Sequence, residues 1–195
     1  MRPVVALPVL LLAALLVLTG CSTGKDAVES GTEFQFVSPG GKTEIFYDGA
    51  DRQQAPALSG QDLMTDEPVS TADYDGKVVV LNLWGAWCPP CRVEAPELEK
   101  VFTERAEKGV EVLGINVRDE NRTAPQDFVR DTGLTYPSIY DPPGRSLLAW
   151  KGYPRSVVPS TIVLDKHHRV AAVFLRDLLA SDLFPVVDRL TAEKS

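Results

Sequence analysis

What this chain of 195 residues has little of narrows its chemistry early. It carries three cysteines and two histidines, and the histidines are neighbours, His167 and His168. A structural zinc site needs four ligands and a catalytic one three plus water, so this inventory argues against a zinc protein. Basic residues are short as well. Twenty Lys and Arg face 27 Asp and Glu, a formal net charge of −7. That balance argues against general affinity for nucleic acid or anionic lipid headgroups. There is no internal repeat. The one long hydrophobic run, Val4 to Leu18, has about fifteen residues against the ~20 that a membrane-spanning helix needs. The rest, 44% hydrophobic and 24% charged with 14 Gly and 15 Pro, fits one globular domain with attachments.

The hydrophobic run follows Met1-Arg2 and reads as a signal-peptide core. It ends in Leu18-Thr19-Gly20-Cys21, which resembles the bacterial lipobox. The resemblance implies a diacylglyceryl group on the Cys21 thiol and cleavage just before it; a plain secretory signal or an uncleaved anchor is the alternative. The polar stretch STGKDAVESGT, residues 22 to 32, has the composition of a flexible tether. The expected organisation is a signal peptide over 1–20, a lipidated cysteine and tether over 21–33, and one domain over 34–195. Loss of the signal removes Arg2 and moves the charge to −8. If Cys21 is a thioether, the odd thiol disappears and only Cys88 and Cys91 remain free to pair. A lipid-tethered domain outside the cytoplasmic membrane is one in which disulfide chemistry is possible.

Along the domain, Phe34 to Val37 and Thr43 to Tyr47 flank Pro39-Gly40-Gly41 and predict a short hairpin, with a linker to residue 54. Val78 to Trp84 is a continuous apolar run suited to a strand buried on both faces. Pro89 to Ala106 reads as a helix with Leu98, Val101 and Phe102 on one face, stopped by Gly109. Val110 to Val117 is a second central strand. A short helix over Pro125 to Arg130, an extended piece over Tyr136 to Tyr140 and a second short helix near Arg145 to Trp150 follow. Ser160 to Leu164 and Val170 to Leu175 form a strand pair. Ser181 caps a last helix with Leu183, Val186, Val187 and Leu190 on one face. The order predicts an α/β fold with a mixed sheet.

The segment LNLWGAWCPPCRVEAPELEKV, residues 81 to 101, places Cys88 after a buried strand at the mouth of the first long helix. Only a thiolate is nucleophilic, and an ordinary thiol pKa of ~8.5 leaves little of it at neutral pH. A helix N-terminus offers unpaired N–H groups and the positive end of the dipole, both favouring a negative sulfur. Pro89 and Pro90 fit the first turn, whose N–H groups have no intrahelical partner. Two intervening residues bring Cys91 within disulfide reach of Cys88, with the nucleophile at the exposed end and a resolving thiol one turn further in. A redox couple, half of a metal site and a structural staple all remain open on this pattern alone.

Trp87-Cys88-Pro89-Pro90-Cys91, preceded by VVVLNLWGA and followed by RVEAPELEKV, resembles the thioredoxin superfamily, and most closely its TlpA/ResA group of extracytoplasmic, membrane-tethered thiol–disulfide oxidoreductases. The resemblance covers residues 55 to 195 and includes an insertion over 117–157 that plain thioredoxin lacks. It implies a thioredoxin-like fold, a redox disulfide Cys88–Cys91, and a cis proline at Pro159 that faces the dithiol and presents the Val158 backbone to a substrate peptide. Sequence alone would make that X-Pro bond trans. Taken alone, Glu94 is a solvent-facing helix carboxylate. The resemblance makes it a functional glutamate three residues beyond the second cysteine, handling the Cys91 proton, because Asn82 stands where plain thioredoxins bury an aspartate. Pro96 matches the family's kinking proline, and Trp87 is the aromatic expected to touch a partner.

The resemblance further implies a reductase of protein disulfides with no cofactor, re-reduced by a membrane electron donor. Its substrates would be apocytochrome c haem-attachment cysteines or metallochaperone cysteines. A disulfide-donating oxidase is the first alternative. A Sco-type copper chaperone is the second, weakened by a cysteine spacing one residue too short and by the absence of any histidine before Pro159. A peroxiredoxin-like peroxidase is weakened by the paired cysteines. His167-His168 reads as a solvent-facing turn between strands rather than a metal site.

Overall fold

The computed structural model describes residues 33–194. The signal segment, Cys21 and the tether through Thr32 lie outside the described residues. The run Val78–Trp84 forms β4, and all seven of its residues are buried. It is the axis of a six-stranded sheet. Glu44–Phe46 (β1), Val110–Asn116 (β5), Ser138–Tyr140 (β6), Ser160–Leu164 (β7) and Val170–Phe174 (β8) complete it, in the order β1-β8-β7-β4-β5-β6. A separate two-stranded ribbon pairs β2 (Ser59–Gln61) with β3 (Pro68–Ser70). β4, β5 and β6 run parallel, joined by helices α1 (Pro89–Arg105) and α2 (Thr123–Thr132). β7 lies antiparallel on the other side of β4 and turns back into β8, and α3 (Ala180–Ala192) closes the chain. The mixed α/β sheet expected from the element order is therefore formed.

Successive side chains of a strand point to opposite faces, and β4 divides accordingly. Val78, Val80 and Trp84 meet Leu98 and Val101 of α1, Phe128 of α2 and Leu183 and Val187 of α3. Val79, Leu81 and Leu83 meet Phe34, Phe36, Leu58, Trp150 and Tyr153. Asn82 therefore falls on the face that carries α1, a polar residue among buried apolar ones.

The N-terminal hairpin does not form. The Phe34 N–H donates to the Gln54 carbonyl at 2.8 Å and the Phe36 N–H to the Lys151 carbonyl at 2.9 Å, while β1 adds antiparallel to the sheet edge with Ile45 opposite Val173. The cause is aromatic burial. Phe34 meets Tyr47 and Trp150 edge-on, with ring centroids 5.8 Å apart in each pair, and Phe36 meets Tyr153 likewise at 5.8 Å. A two-stranded hairpin on the surface would bury none of this area and is marginal in water. The cap of α3 also differs from expectation: Ser181 is inside the helix, and Asp182 accepts the Leu179 N–H at 2.9 Å. Further caps come from α1, whose Glu97 accepts the Ala180 N–H at 3.1 Å, so the two helices are docked by polar contacts as well as by apolar area.

Gly114 in β5 lets two layers approach beneath the site. Trp84 Nε1 donates to Ser138 Oγ at 3.3 Å directly over it, and a Cβ at this position would collide with both groups. Gly114→Ala is expected to destabilise the protein by about 2 kcal/mol through overpacking and loss of that hydrogen bond. Urea unfolding of the two proteins measures it, and equal midpoints would contradict the packing account.

Candidate functional site

Cys88 is the N-cap residue of α1, in extended conformation, with Pro89 and Pro90 in the first turn. The two proline nitrogens carry no N–H, so the first free donor of the helix mouth is Cys91, whose N–H reaches Cys88 Sγ at 3.3 Å. The helix end thus aims a hydrogen bond at the sulfur of Cys88, in the geometry that favours a thiolate there. Cys88 and Cys91 form a disulfide with Cα atoms 5.3 Å apart. One expectation is corrected: Cys88 is 1% exposed, as enclosed as Cys91, rather than open to solvent. Its Sγ lies 3.8 Å from the Val158 carbonyl oxygen, a contact rather than a hydrogen bond because a disulfide sulfur carries no proton. The Val158–Pro159 peptide is cis, in the form implied by the resemblance, and it sets that carbonyl against the dithiol.

The loop from β4 into α1 is held from the β5 side. The Ala86 N–H donates to Asp119 Oδ2 at 2.7 Å, Asn116 Nδ2 donates to the same oxygen at 2.7 Å, and Trp87 Nε1 donates to the Val117 carbonyl at 2.9 Å. Trp87 lies back across Gly85, where any Cβ would strike its indole nitrogen, and it stays 44% exposed beside the disulfide. Asp119 and Asn116 are positioning residues that sequence reasoning missed. Their only trace is a polar residue closing a buried strand and another three positions on, which no spacing marks as functional.

Glu94 is where the sequence taken alone misleads. It is 1% exposed, in the middle of the apolar stripe Cys91, Ala95, Leu98 and Val101 of α1. Its Oε2 accepts from Asn82 Nδ2 at 2.8 Å and its Oε1 from the Leu178 N–H at 3.0 Å. Asn82 Nδ2 also donates to Thr161 Oγ1 at 3.1 Å, so the carboxylate is tied to β4, to β7 and to the entry of α3. Desolvation raises the Glu94 pKa from the ordinary 4.5 to about 7, against the lowering effect of the two hydrogen bonds. Burial, with the Glu94 charge adding to it, also pushes the phenols of Tyr136 and Tyr153 above their ordinary range. A carboxyl titrating near neutrality one helical turn beyond Cys91 can take up and return a proton at physiological pH.

The other flagged residues are placed as follows. Pro96 is inside α1. Trp84 is buried in the core. His167 and His168 occupy the β7–β8 turn, His167 exposed and His168 with its Nε2 3.0 Å from the Tyr74 carbonyl oxygen. Among the described residues no group of three or more His, Cys, Asp or Glu side chains is arranged to hold a metal ion, and no helix is long and apolar enough to cross a membrane.

A helix-mouth C-x-x-C disulfide facing a cis proline on a mixed six-stranded sheet defines a thioredoxin-like redox protein. The chain belongs to the AhpC/TSA family, whose model matches residues 52–173. A secreted thiol-disulfide isomerase from Corynebacterium glutamicum superposes with a TM-score of 0.80 at 52% identity, over 82% of this chain and 98% of that one. A DsbF homologue from Corynebacterium diphtheriae gives 0.78 at 54% identity, over 81% and 99%. The thiol-disulfide oxidoreductase ResA of Halalkalibacterium halodurans is 35% identical over 107 residues, 55% of this chain and 58% of that protein. The ResA of Geobacillus kaustophilus is 33% identical over 57% and 62%. The chain thus matches about three fifths of the length of these curated relatives. The likeness to the TlpA/ResA group read from the C-x-x-C segment holds.

Proposed function

We propose that this chain is an extracytoplasmic thiol–disulfide oxidoreductase, tethered to a bacterial membrane through lipid on Cys21, that reduces protein disulfides. The observation that supports the reading most is the Cys88–Cys91 disulfide at the mouth of α1 with the Val158 carbonyl 3.8 Å from Cys88 Sγ. A structural staple needs neither the helix mouth nor the facing backbone. In the reduced protein the Cys88 thiolate attacks one sulfur of a partner disulfide. The partner S–S bond breaks, its leaving sulfur takes up a proton, and Cys88 is left in a mixed disulfide. Cys91 then passes its proton to the Glu94 carboxylate and attacks Cys88 Sγ, so the intramolecular disulfide re-forms and the partner departs as a dithiol. Two electrons have moved to the partner. A membrane electron donor restores them by the same exchange in reverse, and no cofactor takes part. Val158 and Trp87 flank the sulfur that the partner must reach. Oxidised apocytochrome c or metallochaperone cysteines are the substrate class proposed.

The direction of electron flow is tested by the reduction potential of the Cys88–Cys91 couple. Thioredoxin-like dithiols span about −270 to about −120 mV. A reductase is expected near the lower end, measured by equilibration with a glutathione or dithiothreitol couple. A value near about −120 mV would instead make the chain a donor of disulfides.

A further inference from the structure

Next to Trp87, and before the segment that leads to Val158, lies a cleft of about 300 Å³ lined by Arg118, Pro142, Pro143, Leu147, Arg155 and Ser156 among others. Both of its walls connect to the reacting groups. Arg118 follows Val117, whose carbonyl anchors Trp87, and its guanidinium carbon stands 5.3 Å from the centre of the Trp87 ring. Arg155 and Ser156 immediately precede the Val157–Val158 segment that reaches Cys88. Arg118 is also fixed in place. Its backbone adopts φ +60, its N–H donates to the Pro142 carbonyl at 2.9 Å, and its Nη2 donates to the Arg155 carbonyl at 3.3 Å. The guanidinium thereby reaches the Arg155 backbone on the other wall of the cleft.

The charge around this cleft runs against the rest of the protein. The chain as a whole is acidic, at −7. Among the described residues eleven of the eighteen arginines and lysines are engaged in ion pairs, from Arg52 with Asp165 to Arg189 with Asp48. Arg118 and Arg155, both exposed, are in none, like Lys42, Arg92, Arg145, Lys166 and Lys194, but they are the two that line one cleft. The neighbouring carboxylates do not neutralise them. Asp119 is turned inward onto the Ala86 N–H and Asn116, and Asp141 onto the Arg145 and Ser146 N–H groups at 2.9 and 2.7 Å. Glu120 is the exposed exception. Two guanidiniums without an ion-pair partner, on an apolar floor of proline and leucine and next to the Trp87 and Val158 segments that flank the disulfide, suit a carboxylate carried on a polypeptide.

We propose that this cleft receives an acidic side chain, Asp or Glu, of the substrate polypeptide close to its reacting cysteine, and so selects and orients partners for exchange. The proposal rests on the exchange reading above and adds a substrate preference to it. Charges at the rim of an interface act mainly on the association rate and are screened by salt.

The test uses the reduced full chain and three synthetic peptides. Each peptide carries one intramolecular disulfide and differs only in having Glu, Gln or Lys beside one cysteine. Neutral hydroxyethyl disulfide serves as reference oxidant. At low salt the Glu peptide is expected to react about tenfold faster than the Lys peptide, with Gln between, the scale of one or two partly exposed ion pairs. The ratio should fall to within about twofold in Arg118→Gln/Arg155→Gln and in ~1 M salt, and should persist in Arg118→Lys/Arg155→Lys, which keeps the charge. Equal rates for the three peptides in the wild-type protein, or an undiminished ratio in Arg118→Gln/Arg155→Gln, would overturn the cleft assignment while leaving exchange intact. Failure of the wild-type protein to react even with hydroxyethyl disulfide would overturn the exchange reading itself.

Discussion

Cys88→Ser is expected to lower the rate of exchange with a peptide disulfide by at least about a thousandfold, the loss that follows removal of an enzymatic nucleophile. Cys91→Ser is expected to behave differently. Its Cys88 can still attack, so the first thiol should be consumed at a rate within about tenfold of the wild type, but the reaction then stops at the mixed disulfide. The asymmetry follows from position. The α1 N-terminus directs the Cys91 N–H to Cys88 Sγ, and the Val158 backbone stands against that same sulfur, so the approach of a partner and the stabilisation of a thiolate coincide on Cys88. Cys91 has the carboxyl of Glu94 one turn beyond it and the first sulfur in front of it. Stopped-flow kinetics on the two serine proteins measures the difference. Equal loss in both at the first step would contradict the division into attacking and resolving thiols.

Glu94→Gln is expected to remove a large pH dependence of stability. The folded carboxyl titrates near about 7, against 4.5 for an ordinary glutamate, because its burial penalises the charged form more than Asn82 and the Leu178 N–H favour it. The folded state therefore holds a proton that the unfolded state releases between these values. The associated stability is complete below about pH 4.5 and is lost as pH rises through about 7. The difference amounts to about 3 kcal/mol for a gap of this size, on the order of 10 °C in Tm for a domain this large. Glutamine keeps the shape and lacks the titration. Thermal unfolding of the oxidised proteins between about pH 4 and 8 should show the wild type losing ground to Glu94→Gln by that amount as pH rises. Parallel curves would contradict a buried, proton-exchanging carboxyl. In the reduced proteins the pH profile of Cys91 alkylation should shift in the same variant if Glu94 governs the thiol proton, and an unchanged profile would retire that role.

Glu94 also shows where sequence reasoning ends. The periodicity of α1 puts position 94 on the buried stripe, yet a glutamate there reads as solvent-facing because single carboxylates seldom tolerate burial. What permits it is Asn82, twelve residues earlier on β4, and a backbone N–H at Leu178 that comes from the far end of the chain. Neither partner is visible in a local pattern. The central strands were legible for the opposite reason: Val78–Trp84 and Val110–Asn116 are continuous apolar runs whose burial on both faces leaves few alternatives. The N-terminal segment misled because its Pro-Gly-Gly turn chemistry favours a hairpin, while the energetic decision lay in aromatic contacts to Trp150 and Tyr153, more than a hundred residues away. The cysteine pair, its helix mouth and Pro159 could be placed from sequence through their resemblance to a known motif. The enclosure of Cys88, the Asp119 anchor under Ala86 and the arginine cleft depend on how the segment after β5 and the segment before Pro159 come together, and no spacing encodes that.

The central claim is that Cys88 attacks a partner disulfide and Cys91 resolves the adduct. Intact-protein mass spectrometry of the reduced Cys91→Ser and Cys88→Ser proteins, each mixed with a peptide that contains one disulfide, tests it most directly. The account predicts a stable mixed disulfide on Cys88 in the Cys91→Ser protein, and no adduct on the same timescale in the Cys88→Ser protein, whose remaining thiol has neither the helix-mouth N–H nor the facing Val158 backbone that Cys88 has. A Cys88→Ser protein that forms the adduct as readily as Cys91→Ser, or a Cys91→Ser protein that forms none, would contradict it.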